Sequence, residues 1–301
     1  MLEQKKRNSG RLRKSLLGFM AVSMIMGTSA TSCSREEIIN RGIGAAIGAG
    51  VGLIQAQSLN PQTERQLGAQ VRQQVLQEYK LYTASPALVE YVRSVGEKLA
   101  TQAETRTDYD FQFEVIDSKE INAFTIPGGT IFVTTELLKY LHNEAELASV
   151  LGHEIGHIDG RHPKETLRRA LIAQGAVQGG LSDQQILAAV AALTADLILR
   201  GFSREQEREA DRRGVVLATK FNYDEKALTG FLNTLIEVEG KSPSGIVGLL
   251  LTHPGSEERI ALLKSYIDQN HIHAVNPIVN AQAYQTAVSV LPPKQPLTAS
   301  K

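Results

Sequence analysis

The sequence predicts an α+β protein, mostly helical, with one small antiparallel sheet placed ahead of a buried helix that carries polar, chemically active side chains. Three observations predict it. Polar and apolar residues alternate at helical spacing through 58–107 and again from 143 onward. The stretch "YDFQFEVIDS" puts Tyr109, Phe111, Phe113 and Val115 on one face of a strand. "INAFTIPGGTIFVTTELL" adds two strand-like runs around Pro127, Gly128 and Gly129, residues suited to a turn, so one hairpin is expected. With 301 residues the chain can bury one sizeable core without disulfides or a structural metal.

Taken in order, the N-terminus comes first. Lys5, Lys6, Arg7, Arg11, Arg13 and Lys14 precede an apolar stretch over 16–26 and then small residues, the layout of a secretory signal occupying 1–32. That apolar stretch is shorter than the about 20 residues a membrane-spanning helix needs. The single cysteine, Cys33, follows directly and stands where a lipoprotein's acylated cysteine would stand. The preceding "ATS" lacks the usual leucine, so cleavage after Ala30 with a free Cys33 is an equal expectation. Residues 33–57 read as a linker. Its "GIGAAIGAGVGLI" aligns Gly44, Gly48 and Gly52 on one helix face, which suits either a membrane surface or docking on the body.

Charge and composition exclude one class of partner. Residues 1–32 hold 6 of the 32 basic and 1 of the 32 acidic side chains, so the remainder is mildly acidic. Nucleic acid is therefore not an expected partner. Aromatic residues are only 5% of the chain and tryptophan is absent, which argues against an aromatic-lined sugar or nucleic-acid groove.

The main domain is expected over 58–270. After the hairpin, Asn143 and Glu146 resemble a capping box opening a helix that runs through "ELASVLGHEIGHIDGRH". In a helix, positions four apart lie one above the other, so His153 and His157 can aim ring nitrogens at one point. Glu154 is turned off that line, poorly placed to bind a metal but able to reach a water beside it. Leu147, Val150, Leu151, Ile155 and Ile158 form an apolar stripe that buries the helix. Gly152 and Gly156 either admit another backbone or keep space near the metal. The pattern points to catalytic zinc, with two ligands and a general base on one helix.

A catalytic zinc needs a third protein ligand. "FSREQEREADRRG" opens a later helix with Ser203 and Gln206 as a capping box, and it offers Glu205, Glu207 and Glu209 as carboxylates. Glu207 with Asp211 one turn on could supply a ligand and a partner for a histidine's second nitrogen. Spacing favours Glu207 over the other two only slightly. Between these elements, 164–200 reads as a pair of helices, one buried or lid-like. Residues 225–269 continue helical, and 271–301 are expected to trail into a partly disordered tail.

Four motifs in order, "NAFTIPGGTIFVTTELL", "ELASVLGHEIGHIDGRH", "FSREQEREAD" and "LLTHPGSEERI", resemble a known group of zinc metallopeptidases over roughly 58–265. The group includes the CaaX prenyl endopeptidases, the HtpX-type heat-shock proteases and soluble periplasmic proteases of outer-membrane quality control. The resemblance implies a mostly helical zincin body with one Zn2+, Glu207 as third ligand and Asp211 behind it. It also implies a sheet edge at Asn122 and Ala123 on which a substrate peptide adds as a strand. His253, in "THP", would be a reversible fourth ligand or an oxyanion donor, against the alternative of a plain turn residue; Arg259 would orient that segment.

The expected function is thus a secreted or periplasmic zinc endopeptidase acting on unfolded or misfolded envelope proteins. Two departures limit the resemblance. The several long spans of the membrane-embedded relatives are missing, and no tetratricopeptide repeat appears in these 301 residues. A zinc-containing chaperone or membrane-surface scaffold is the rival expectation, and an intact Glu154 speaks against it, because a structural metal needs no general base. His162 is left without a role.

Overall fold

The computed structural model describes residues 59–175, 183–241, 253 and 256–294. The expected signal segment, Cys33 and the glycine-rich stretch lie outside the described residues. Among those described the fold is α+β and mostly helical, as expected, and no helix is long and apolar enough to cross a membrane.

Helix α1 (Pro61–Glu78) starts where the Asn60 side chain accepts the Thr63 N–H, with proline in the first turn. The expected helical stretch is broken by strand β1 (Lys80–Leu81) before α2 (Pro86–Ala100), which Ser85 caps. Strand β2 (Gln112–Asp117), β3 (Ala123–Thr125) and β4 (Thr130–Thr134) follow, and the turn at Gly128 and Gly129 uses φ of 87° and 97°. The sheet order is β1-β2-β4-β3.

This sheet is mixed, which corrects the expected antiparallel one. β3 and β4 form the antiparallel hairpin, but β2 and β4 pair in parallel. The link after β2 carries the chain past one strand width, so β4 returns into the place between. Alternation specifies which face of a strand is buried, and it is silent on strand direction.

The two faces are covered by different helices. Phe113, Val115, Ala123, Ile131 and Val133 pack with α2 and with the long helix α4 (Glu144–Asp159), which follows short α3 (Thr135–Tyr140). Phe124 and Phe132 point the other way, toward Val71 and Val75 of α1 and Ala195 and Ile198 of α6 (Asp183–Leu199). Between α4 and α6 lies α5 (His162–Gly175), so the expected helix pair is present. α7 (Arg204–Lys220), α8 (Ala227–Lys241) and α9 (Ser256–Gln269) complete the helical side.

The stretch from 271 is folded as far as it is described, against the expected trailing tail. Ile278 bridges to Tyr223, and α10 (Ala281–Val288) buries Tyr284 completely, with its hydroxyl donating to the Leu138 carbonyl at 2.5 Å. Polar composition suggested disorder because the partners of these few apolar side chains are far away in the sequence.

Candidate active site

The site is built where α4 crosses α7. Asn143 caps α4 by accepting the Glu146 N–H at 2.9 Å, but Glu146 accepts from His142 N–H rather than closing the box on Asn143. Ser203 and Gln206 do form a reciprocal capping box on α7. The two helices touch backbone to backbone. A side-chain carbon on Gly156 would stand 2.7 Å from the Ala210 carbonyl oxygen, and one on Gly214 would stand 2.7 Å from the His153 nitrogen. Of the two expected uses of the α4 glycines, admitting another backbone is the one realised.

That close crossing brings four donors together. His153 Nε2 lies 3.0 Å from His157 Nε2 and 3.5 Å from Glu207 Oε2, while His157 Nε2 is 3.3 Å from Glu207 Oε1. His253 Nδ1 is 2.9 Å from both Glu207 oxygens and 3.2 Å from His153 Nε2. All four side chains are buried, and their ligand atoms lie within 4.8 Å of one another. Ligand atoms on a tetrahedral zinc with bonds of 2.0–2.1 Å stand about 3.3 Å apart. Three imidazoles and one carboxylate at these separations therefore fit one zinc ion. Glu205 and Glu209 are instead paired with Arg208 and Arg213.

Charged neighbours support this cluster from behind. Arg259 donates to both oxygens of Asp211 at 2.8 and 2.6 Å, lies 2.9 Å from Glu207 Oε2, and donates to the His253 carbonyl at 3.3 Å. Asp211 Oδ1 is 2.9 Å from His153 Nδ1, a close charge contact that is not aligned as a standard hydrogen bond. Burial opposes the charged form of Asp211, but Arg259 and His153 outweigh it and hold its pKa down at about 2. Burial also works against a charged His153, yet Asp211 and Glu207 raise it to about 9. In His157 burial prevails over Glu207 and keeps the ring well below its ordinary value. Glu207 is held well below the ordinary carboxylate range, because His253, His157 and His153 together overcome its burial.

Glu154 is different from every other carboxylate near it. It is 0% exposed, and neither side-chain oxygen has a hydrogen-bond partner. The nearest ionisable nitrogen is His253 Nε2 at 3.7 Å, itself without a hydrogen bond. Burial raises the Glu154 pKa.

The sheet edge stands beside this helix, since β3 packs against α4. Asn122 and Ala123 are buried, and their inward pairing is to β4, through Thr134 and Val133. Sequence reasoning missed two residues, His162 and Phe202. His162 Nδ1 lies 2.8 Å from His157 Nδ1, and the Phe202 ring stacks on His157 with centroids 4.1 Å apart. The signal for His162 was its position five residues after His157, across the end of α4.

Buried imidazoles and a carboxylate around one point, with an unpartnered carboxylate beside them, form the donor set expected of a metal-dependent hydrolase of the His-Glu-x-x-His type. The profile of peptidase family M48 matches residues 86–267, and the chain belongs to that family of zinc metalloendopeptidases. It is 29% identical over 272 residues to the beta-barrel assembly-enhancing protease of Escherichia coli (strain K12), covering 86% of this chain and 53% of the relative. It is 25% identical over 249 residues to the metalloprotease LoiP of the same strain, covering 80% of this chain and 92% of the relative. The mitochondrial metalloendopeptidase OMA1 of Arabidopsis thaliana is 34% identical over 151 residues, 50% of this chain and 30% of that one. The chain thus spans about half the length of the assembly-enhancing proteases it matches.

Proposed function

We propose that this protein is an exported endopeptidase that cleaves unfolded or misfolded proteins of the cell envelope. His153, His157 and Glu207 would hold a zinc ion, which when bound would supply Lewis acidity toward the scissile carbonyl. Glu154 takes a proton from the attacking water and delivers it to the leaving amine. The observation that carries this reading is the buried Glu154 carboxylate, unpartnered and kept basic by its surroundings, beside four converging donors.

His253 has two faces that suit two tasks. Its Nδ1 belongs to the donor set while its Nε2 is directed toward Glu154. The ring would serve as a fourth donor to a bound metal or as a donor to the developing oxyanion. Asp211 and Arg259 fix the orientation of His153 and of the His253 backbone. A substrate backbone adds along β3 at Asn122 and Ala123, which leaves side-chain identity largely unread and makes specificity broad.

The exported location is supported by the basic and apolar order of residues 1–32 and by similarity to a relative named for enhancing beta-barrel assembly. Lipid on Cys33 or the glycine-rich stretch would attach the protein to a membrane surface.

The test compares zinc content and cleavage of an unfolded protein by the wild type and Glu154→Gln. Equal zinc with cleavage lowered by about 100-fold or more is expected. Equal cleavage by both would sink the mechanism. Zinc without cleavage in either protein would transfer the assignment to a chaperone or scaffold. Glu207→Gln should lower zinc affinity, and full zinc retention would point to another carboxylate.

A further inference from the structure

His157 is 0% exposed, and its two ring nitrogens face different partners. Nε2 faces the donor cluster, and Nδ1 faces His162 Nδ1 at 2.8 Å. A neutral imidazole that binds a metal through Nε2 carries its hydrogen on Nδ1, and that hydrogen needs an acceptor in a buried site. Two ring nitrogens 2.8 Å apart cannot both carry hydrogens. His157 therefore donates, His162 accepts through Nδ1, and His162 carries its own hydrogen on Nε2. That nitrogen points to Glu209 Oε2 at 3.5 Å, and Glu209 accepts from Arg213 Nε at 2.8 Å.

We propose that His162 is a positioning residue for zinc, which fixes the tautomer and ring angle of His157 by accepting its Nδ1 hydrogen. This rests on the reading of His157 as a zinc ligand. Chain geometry supports the role. His162 is buried at the first turn of α5, just after Arg161 takes a left-handed φ of 60° between the two helices. That sharp reversal swings the His162 ring back under the end of α4. Gly160 leaves the room for it: a side-chain carbon there would lie 2.6 Å from His162 Nε2 and 2.7 Å from its Cε1. The stacked Phe202 covers one face of the His157 ring, so rotation is blocked on that face and hydrogen bonding sets the angle.

The experiment measures zinc affinity by chelator competition, together with the His157 tautomer by nitrogen NMR in the zinc-loaded protein. His162→Leu removes the acceptor and should lower affinity about 10–100-fold. His162→Asn keeps an oxygen near the Nδ1 position and should recover most of that loss. Gly160→Ala, which changes neither histidine, should lower affinity as the leucine variant does by driving the His162 ring aside. Glu209 is partly exposed, so Glu209→Gln should change affinity less than threefold.

Wild-type affinity in folded His162→Leu, or equal losses in the leucine and asparagine variants, would overturn the proposal. If the leucine variant does not fold, Gly160→Ala and His162→Asn decide it by the same comparison. Zinc binding by His157→Gln equal to that of the wild type would instead remove the ligand reading itself.

Discussion

His153 and His157 stand one turn apart on α4 and face one donor cluster, yet they are braced in opposite ways. Behind His153 lies a charged pair, Asp211 and Arg259, both buried. Behind His157 lies a neutral ring, His162, with its nearest carboxylate one residue further out and partly exposed. Burial therefore has opposite outcomes in the two arms. It is overcome by charge at His153 and prevails at His157. Two imidazoles with the same chemistry need not be tuned alike, and here one is held charged while the other is held neutral.

The largest expected effect breaks the charged arm. Asp211→Asn strands Arg259 in the interior without its bidentate partner, and should cost about 3–5 kcal/mol in urea unfolding of the metal-free protein. A loss under about 1 kcal/mol would mean that Glu207 alone satisfies Arg259.

Smaller changes can be aimed at either arm through the glycines of the helix crossing. Gly214→Ala presses on the His153 backbone, and Gly156→Ala presses on Ala210 beside Glu209. Each should destabilise by about 1–3 kcal/mol, read as a lowered Tm. The sharper readout is zinc affinity after stability is matched. The two variants should differ, because each displaces the support of a different histidine.

The smallest and most selective prediction concerns pH in chelated protein. His153, raised to about 9, contributes stability that is complete below about 6.5 and is lost as pH rises through 9. His157 has a lowered pKa, so its contribution is complete above about 6.5 and is lost as pH falls below that value. Asp211 adds a loss as pH falls from about 4 through 2. Each histidine should give a slope of at most about 1.4 kcal/mol per pH unit, in windows that do not overlap. His153→Gln should flatten the alkaline side and His157→Gln the acid side. Both variants flattening the same side would contradict the contrast between the arms.

Much of this contrast was written in local sequence, and the remainder was not. The spacing of His153, Glu154 and His157 and the box at Ser203 were legible because helical period and capping are properties of a few neighbouring residues. Glu207 was separable from Glu205 and Glu209 only slightly by spacing, and more firmly by resemblance. The structure separates them by helix face, since Glu207 is fully buried among His153, His157 and His253 while Glu205 and Glu209 lie toward the exposed side with Arg208 and Arg213. The parallel pairing of β2 with β4 was hidden because alternation carries no direction. His162 was hidden by the left-handed Arg161, which sends the next residue backward rather than onward along the helix. Tyr284 looked like part of a loose tail because nothing adjacent in the sequence reveals the Leu138 carbonyl that receives it.

That last contact bears on the order in which the protein is made. α10 and the strand-like stretch before it clasp the start of α4: Val279 accepts the Ala145 N–H, and Asn280 donates to Glu144 from 136 residues away. Tyr91 and Tyr223 donate to the same Glu144 carboxylate. A ribosome therefore releases His153 and His157 long before it releases the segment that secures their helix. Arg259, which anchors the charged arm, also emerges late. The nascent chain thus carries both histidines through the later part of its synthesis without the clasp that holds their helix, so assembly of the donor cluster follows synthesis of the body around it.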